Sequence, residues 1–254
     1  MVVVSDKEIT DRIYMQCCSL MPAGYLSGEC CQRFFAAVME VMKKLERAKY
    51  HADRCNTLAR QRPAGPFPDG PQVVHADLTT GVETEVEAFL FQAKSTLDLL
   101  CQVLAAATNI KAHTFGTKGE KVTNALKRNA GKKREQQAAD LIRLVTGDER
   151  WLERMVELRD EVTHFRALRS SGVQTRSVGD SIIMTEPVDS RGMPFSETVA
   201  TLYFNLVTFS EDFVALTLGL SMPPGLALRV VGQSDRADTS KPKYAVVAHG
   251  LSEG

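Results

Sequence analysis

A short run in the second half of the sequence holds an arginine, an aspartate and a histidine. Arg159, Asp160 and His164 belong to the segment LRDEVTHF, which begins at Leu158. If this segment is helical, Asp160 and His164 lie one turn apart on one face, and Arg159 lies at the edge of that face. The carboxylate can then hydrogen-bond one imidazole nitrogen and fix its tautomer, which leaves the other nitrogen to transfer protons.

The chemistry that these side chains fit is cleavage of RNA by its own 2′-hydroxyl group. That reaction needs a proton removed from the hydroxyl, charge stabilised on the phosphate, and a proton given to the leaving oxygen. Histidine transfers protons near neutral pH, and arginine offers paired donors to phosphate oxygens, so no metal ion is required. One histidine cannot easily act as base and acid in the same turnover, which favours a symmetric homodimer whose two motifs share a cleft. The alternative is an exposed helix face on which Asp160 and His164 form an ordinary pair.

The strongest concentration of positive charge lies upstream of that run. Between residues 118 and 134 the chain has seven basic side chains and one acidic side chain, Glu120. The basic residues are Lys118, Lys121, Lys127, Arg128, Lys132, Lys133 and Arg134. We predict that this basic segment and Arg166 bind the RNA backbone, which would make the affinity depend on salt. The alternatives are that the segment is a solvated surface and that Arg166 complements the C-terminus of its helix.

Apolar side chains at alternating steps of four and three residues predict the amphipathic helices that position these groups. The predicted order is a helix over about 29–61, a connector rich in proline and glycine over 62–81, a helix over about 83–107, a short helix before Gly131, a helix over about 135–145, and then the helix that carries the run. A Gly-Asp pair at 179–180 predicts a β-hairpin over about 173–186, and a last helix follows to about residue 220.

Helices with a single apolar stripe must bury it against one another, so the expected fold class is mainly α. We predict an antiparallel helical bundle with a small β-hairpin insertion after the motif helix. The expected domain covers 1–222, with its bundle core at about 83–220. A C-terminal tail over 223–254 follows, and its two apolar pieces either pair as strands or dock on the bundle.

The run and its context resemble the HEPN domain family. Arg159 and His164 match the R-x(4–6)-H motif of that family, and the segment EAFLFQAKSTLDLL, from Glu87 to Leu100, is similar to an earlier helix of its bundle. The resemblance implies an all-helical bundle, a homodimer that joins the two motifs and, in many members, endoribonuclease activity that uses neither a metal ion nor a cofactor. By position, Arg159 and His164 would be catalytic and Asp160 would support them.

The same resemblance leaves two functions open. Active members serve in toxin, defence or RNA-processing roles, with RNA as substrate and in some cases an antitoxin or regulatory protein as partner. Other members are catalytically inactive and serve as interaction or nucleotide-binding modules. The second interpretation stays open because Asp160 stands where many active members have asparagine, and because Glu153 and Glu157 extend the acidic face.

The composition limits the partners and the compartment that we expect. The 31 basic and 31 acidic side chains cancel, so nucleic acid must bind a local patch rather than the whole surface. The six cysteines lack the C-x-x-C spacing of zinc ligands; we expect buried thiols and no metal site. No apolar run approaches the ~20 residues that span a bilayer, and the N-terminus is unlike a signal peptide. A cytoplasmic location without a membrane partner is therefore expected. Gly116 to Lys121 lacks the spacing of a nucleotide phosphate loop.

Overall fold

The structure, a computed structural model of the chain, is mainly helical, as predicted. It describes residues 6–21, 26–60, 76–131, 134–147, 149–163, 175–178, 181–184, 188–231 and 241–248. In chain order the elements are α1 (Asp6–Ile9), a π-helix (Thr10–Met15), α2 (Gln16–Leu20), α3 (Gly28–Arg60), α4 (Ala76–Thr108), α5 (Glu120–Asn129), α6 (Glu135–Gly147), α7 (Glu149–Thr163), β1 (Thr175–Val178), β2 (Ser181–Met184), α8 (Phe195–Ser221), β3 (Leu226–Val230) and β4 (Tyr244–Ala248).

The long helices α3 and α4 form the largest packed pair, and α8 lies against both of them. Two contacts show that α3 and α4 run antiparallel. Lys44 Nζ donates to Gln92 Oε1 over 3.1 Å, whereas His51 Nδ1, further along α3, lies 2.8 Å from Oε2 of Glu85, which is earlier in α4. The predicted apolar stripe of α3 is buried, including Leu45, so the four-and-three spacing identified the face that packs.

The helix α4 begins earlier than the sequence predicts. The connector was expected over 62–81, but α4 starts at Ala76, so the last six residues of that range are helical; residues 61–75 lie outside the described residues. Packing against α3 explains the extension, because Val82 is buried and a Cβ on Gly81 would sit 3.4 Å from Leu58 Cδ1. Burial of the Val82 side chain offsets the cost of one helical glycine, about 1 kcal/mol.

The helical segment from Asp6 to Leu20 was not predicted, and a buried ion pair ties it to α8. Arg12 donates from Nε and Nη2 to Glu211 Oε2 over 2.9 and 2.7 Å, and its Nη2 also donates to Thr208 Oγ1 over 3.0 Å. Arg12 and Glu211 are only 7% and 4% exposed. Burying a guanidinium without such a partner would cost several kcal/mol, so this pair fixes the position of the segment on α8.

The two apolar pieces of the predicted C-terminal tail are β-strands. Of the two alternatives for its apolar pieces, pairing is confirmed, because β3 and β4 form an antiparallel ladder in which Leu228 is opposite Val246. The ladder also contacts α2 and α8. Gln16 holds it by accepting from the Tyr244 backbone N–H over 2.9 Å and donating to the Tyr244 carbonyl over 3.1 Å. The predicted hairpin is confirmed as well, since β1 and β2 pair antiparallel.

The helix α8 forms the centre of the core. Among the described residues it is the one helix that is long and apolar enough to cross a membrane, but 61% of its most apolar window is buried within the protein. Its aromatic side chains join other elements: the Phe209 ring lies 5.6 Å from the rings of Phe115 and Trp151 and 5.7 Å from that of Phe213. These edge-to-face and tilted contacts link the motif helix α7, which carries Trp151, to the core.

Two glycines with left-handed backbone give a matched test of packing. Gly119 precedes α5 with φ of 78°, and a Cβ there would lie 2.1 Å from Val145 Cγ1, whereas Gly131 has φ of 69° and nothing within 4 Å. Both Gly→Ala variants introduce strain of about 1–2 kcal/mol. We expect Gly119→Ala to lower the free energy of unfolding by about 1–3 kcal/mol more than Gly131→Ala, because only Gly119→Ala overpacks the core. Urea unfolding of both variants measures this difference, and equal losses would contradict the packing explanation.

Candidate functional site

The helix α7 presents two of the predicted site residues, Arg159 and Asp160, on its exposed side. Met155 and Leu158 are buried, as the apolar stripe predicts, and Trp151, the first residue of that stripe, is half-buried. Arg159 and Asp160 follow on the edge and on the opposite face, with side chains that are 29% and 47% exposed. Both side chains are therefore accessible to a large ligand.

Arg159 and Asp160 bond to each other. The Arg159 Nε and Nη2 atoms both donate to Asp160 Oδ1, over 3.0 and 2.6 Å. The predicted contact of Asp160 with His164 stays a prediction, because His164 and Arg166 lie outside the described residues. The Arg159 guanidinium is thus bound to a carboxylate, which a phosphate would have to displace.

The acidic face of α7 has cationic partners along its length. Glu153 Oε1 lies 2.7 Å from Lys118 Nζ, and Glu157 Oε2 lies 3.2 Å from Arg191 Nη2. With the bond between Arg159 and Asp160, all three carboxylates that the sequence places on this face have a basic neighbour. These contacts reduce the repulsion that the face would exert on an incoming phosphate.

Most of the described cations of the basic segment are exposed, and the first of them, Lys118, contacts α7. Lys118 reaches Glu153, and Lys121, Lys127 and Arg128 are exposed on α5. Arg134 is half-buried, and Lys132 and Lys133 lie outside the described residues. Beside Lys127 and Arg128, a groove of about 540 Å³ opens between α5 and α6, over an apolar floor that includes Leu126, Ala138 and Ile142. The described part of the segment therefore offers cations next to an apolar groove.

The loop before α5 uses its backbone donors internally. Glu120 Oε2 accepts from the Lys118 N–H over 2.9 Å, and Glu120 Oε1 accepts from the Thr117 N–H over 3.4 Å. Partial burial alone would raise the pKa of Glu120, but these hydrogen bonds leave it below its usual value. A carboxylate of the chain itself therefore occupies the donors that a phosphate loop would present, in agreement with the sequence argument against such a loop.

A buried carboxylate that sequence reasoning missed braces the motif helix. Asp189 Oδ2 accepts from Arg154 Nη2 over 2.8 Å and from Thr198 Oγ1 over 3.0 Å. Asp189 Oδ1 accepts from the backbone N–H groups of Arg191 and Met193 over 2.8 and 3.0 Å. Because Arg154 belongs to α7 and Thr198 to α8, this carboxylate joins both helices to the chain that follows β2. In the sequence, the turn-forming residues Asp-Ser-Arg-Gly at 189–192 were the one signal for this position. They gave no indication that Asp189 binds Arg154.

Burial and hydrogen bonding act in opposite directions on Asp189. Burial would raise its pKa, but the bonds from Arg154, from the two backbone N–H groups and from Thr198 lower the pKa below its usual value. Asp189 is thus ionised at neutral pH, as a partner for the buried Arg154 must be.

The cysteines are less uniformly buried than expected. Cys17, Cys55 and Cys101 are buried, and burial raises the pKa of Cys101 to about 12. Cys18 is exposed, and Cys30 and Cys31 are half-buried at or near the start of α3, where the core covers one face only. In the described ranges, no three His, Cys, Asp or Glu side chains are placed to share a metal ion.

Comparison of the chain with protein-family models, with curated proteins and with solved structures gave no match.

Proposed function

We propose that the chain is a HEPN-like homodimeric endoribonuclease that cleaves RNA without a metal ion, with Arg159 and His164 catalytic and Asp160 orienting His164. The observation that carries the proposal is the ion pair of 2.7 Å between Lys118 and Glu153, which brings the basic segment beside the motif helix. An RNA strand held by the basic segment would then lie near Arg159, whose side chain is partly exposed. The mainly helical architecture is compatible with a HEPN-like bundle.

In the proposed reaction the 2′-hydroxyl oxygen attacks the adjacent phosphorus. The His164 imidazole takes the hydroxyl proton, the bond from phosphorus to the 2′-oxygen forms, and the bond to the 5′-oxygen breaks. The corresponding histidine of the second copy, protonated, gives a proton to that leaving oxygen. Arg159 exchanges the Asp160 carboxylate for the phosphate and stabilises its developing charge. The products are a 2′,3′-cyclic phosphate and a 5′-hydroxyl end.

A second function, a catalytically inactive interaction or nucleotide-binding module, is favoured by one contact. The two hydrogen bonds from Arg159 to Asp160 compete with any phosphate for the guanidinium. An antitoxin or regulatory partner and a cytoplasmic role in defence or RNA processing belong to the proposal in either form.

The direct test is cleavage of total RNA by the purified protein in excess EDTA, with mapping of the ends. The proposal expects cleavage that EDTA does not inhibit and that leaves 2′,3′-cyclic phosphates. Binding of RNA without cleavage would support the inactive module. Cleavage that needs a divalent cation would overturn the metal-independent mechanism.

The basic segment gives a prediction that separates RNA binding from cleavage. Replacing Lys127 and Arg128 by alanine is expected to weaken binding of single-stranded RNA and to make the negative slope of log affinity against log salt shallower by about 0.7 for each lost phosphate contact. The magnitude of the slope should therefore fall by about 1.4 for the double variant. The control is Lys43→Ala, since Lys43 lies on α3 and pairs with Glu40 at the surface. An unchanged slope in the double variant would remove this segment from the RNA site.

A further inference from the structure

A second cleft lies away from the motif, between α6, α8 and the β3–β4 ladder. Its volume is about 640 Å³, within the range of small-molecule sites. Its lining combines apolar side chains, among them Leu144, Leu216 and Leu228, with the polar groups of Thr208, Asp212 and Tyr244. No residue of α7 lines the cleft, so it does not depend on the proposed ribonuclease site.

Hydrogen bonds and an ion pair hold the polar groups of the cleft in place. Asp212 Oδ1 accepts from the Tyr244 hydroxyl over 3.0 Å and pairs with the Lys243 ammonium group. The Asp212 side chain is 13% exposed, and among the described residues no hydrogen bond reaches its Oδ2 atom. Thr208 Oγ1 accepts from the buried Arg12 over 3.0 Å, so its own proton is left to donate.

The Thr208 hydroxyl and the Asp212 carboxylate determine which polar group a ligand needs. Thr208 and Asp212 lie one turn apart on α8, and side chains four residues apart on a helix are neighbours. Thr208 offers a donor and Asp212 an acceptor, so a single ligand hydroxyl can bond both, whereas a ligand N–H group bonds Asp212 alone. Further along α8, the lining residues Leu216 and Gly219 are apolar, so the remainder of the ligand meets hydrocarbon.

The charges around the cleft are balanced. Lys243 offsets Asp212, and Arg143 Nη1 lies 3.3 Å from Oδ1 of Asp140, the other carboxylate in the lining. A ligand with a net charge would bring a further charge beside these two ion pairs, and neither pair could balance it. We propose that the cleft binds a neutral, amphipathic small molecule whose hydroxyl or N–H group donates to Asp212, a hydroxyl also accepting from Thr208, and whose apolar body lies on Leu144, Leu216 and Leu228.

The first probe is N-phenyl-1-naphthylamine, a neutral fluorophore with one N–H donor and an apolar body. We expect saturable binding at one site per chain, with a rise in fluorescence. Leu216→Trp places an indole in the cleft and is expected to weaken binding at least about tenfold by filling the space that the probe needs. Phe204→Trp is the matched control, because Phe204 is on the same helix, 49% exposed and outside the cleft. Leu144→Trp blocks the cleft from α6 and gives the same test if Leu216→Trp does not fold.

Two analogues of the probe test its polar recognition. 1-Phenylnaphthalene lacks the N–H group and should displace the probe about tenfold less effectively, because Asp212 Oδ2 then stays without a donor. The sulfonated analogue 8-anilinonaphthalene-1-sulfonate carries a negative charge and should also bind about tenfold more weakly. The proposal is overturned if the probe shows no saturable binding, if both cleft-blocking variants bind it like wild type, or if the sulfonated analogue binds more tightly than the neutral one.

Discussion

Replacing His164 by alanine is expected to reduce RNA cleavage by at least about a hundredfold, the lower end of what one positioned acid or base contributes. The reason is that no other group in the proposed mechanism can remove the 2′-hydroxyl proton near neutral pH. The measurement is the initial rate of cleavage of a defined RNA in excess EDTA, with protein that has the circular dichroism and thermal midpoint of wild type.

The control for that variant is His113→Ala. His113 is exposed and follows α4, and the proposed mechanism gives it no role. It should cleave RNA at the wild-type rate, so a loss in both variants would point to a general effect of removing histidine. Wild-type activity in His164→Ala would exclude His164 as the catalytic base.

The largest effect on stability is expected for Asp189→Ala, at about 3–5 kcal/mol of unfolding free energy. The variant removes the carboxylate that lies 2.8 Å from the guanidinium of Arg154, which is 8% exposed and whose contact with Glu157 Oε2 is longer, at 3.9 Å. It also removes the acceptor of the Arg191 and Met193 backbone N–H groups. For a chain of this length, such a loss corresponds to a fall in thermal midpoint of about 6–20 °C.

An exposed ion pair of similar geometry provides the comparison for Asp189. Glu40 and Lys43 lie 2.7 Å apart but are 51% and 54% exposed. Because water screens this pair, Glu40→Ala should cost less than about 1 kcal/mol. Urea unfolding of Asp189→Ala and Glu40→Ala compares a buried with an exposed ion pair whose N–O distances are nearly equal. Similar losses of unfolding free energy would show that the ion pair of Asp189 contributes no more than a surface pair.

The lowered pKa of Asp189 predicts how acid weakens the fold. Because the pKa is lower in the folded chain than in the unfolded chain, this group contributes stability above the usual aspartate pKa of about 3.9. That contribution is lost as the pH falls from about 4 toward the folded value. The difference in unfolding free energy between wild type and Asp189→Ala should therefore shrink below about pH 4. A difference that grows on acidification would contradict the sign of the shift.

The helices that the sequence predicted are those whose buried face is almost entirely apolar. The stripe of α3 and that of α7 could be recognised because each step of three or four residues meets another apolar side chain. The segment from Asp6 to Leu20 also has buried Ile9, Ile13 and Cys17 at steps of four. Arg12 and Gln16 interrupt that pattern, although both are buried, because their polar atoms find partners on α8 and β4.

Part of the candidate site could be predicted from the sequence, and part could not. The exposed side of α7 follows from helical geometry, so the accessibility of Arg159 and Asp160 could be expected. The bond from Lys118 to Glu153 and the bond from Arg154 to Asp189 could not, because each joins residues 35 positions apart in the chain. Charge composition does not say which carboxylate a cation will meet, since that depends on how the helices pack.

The long separation of the partners on α8 and β4 has a consequence for synthesis of the chain on the ribosome. Arg12 meets Glu211 across 199 positions, and Gln16 meets Tyr244 across 228. At the usual translation rate of about 5–20 residues per second, Glu211 is added about 10–40 s after Arg12. Until then, the segment from Asp6 to Leu20 carries an apolar face without its partners on α8, and Arg12 has the Glu8 carboxylate, 3.7 Å away, but not Glu211. Of the described helices that pack on this segment, α3 is made before α8. A chaperone that holds apolar segments at the ribosomal exit would therefore act on the segment from Asp6 to Leu20, and slower translation would lengthen the interval in which this segment can aggregate.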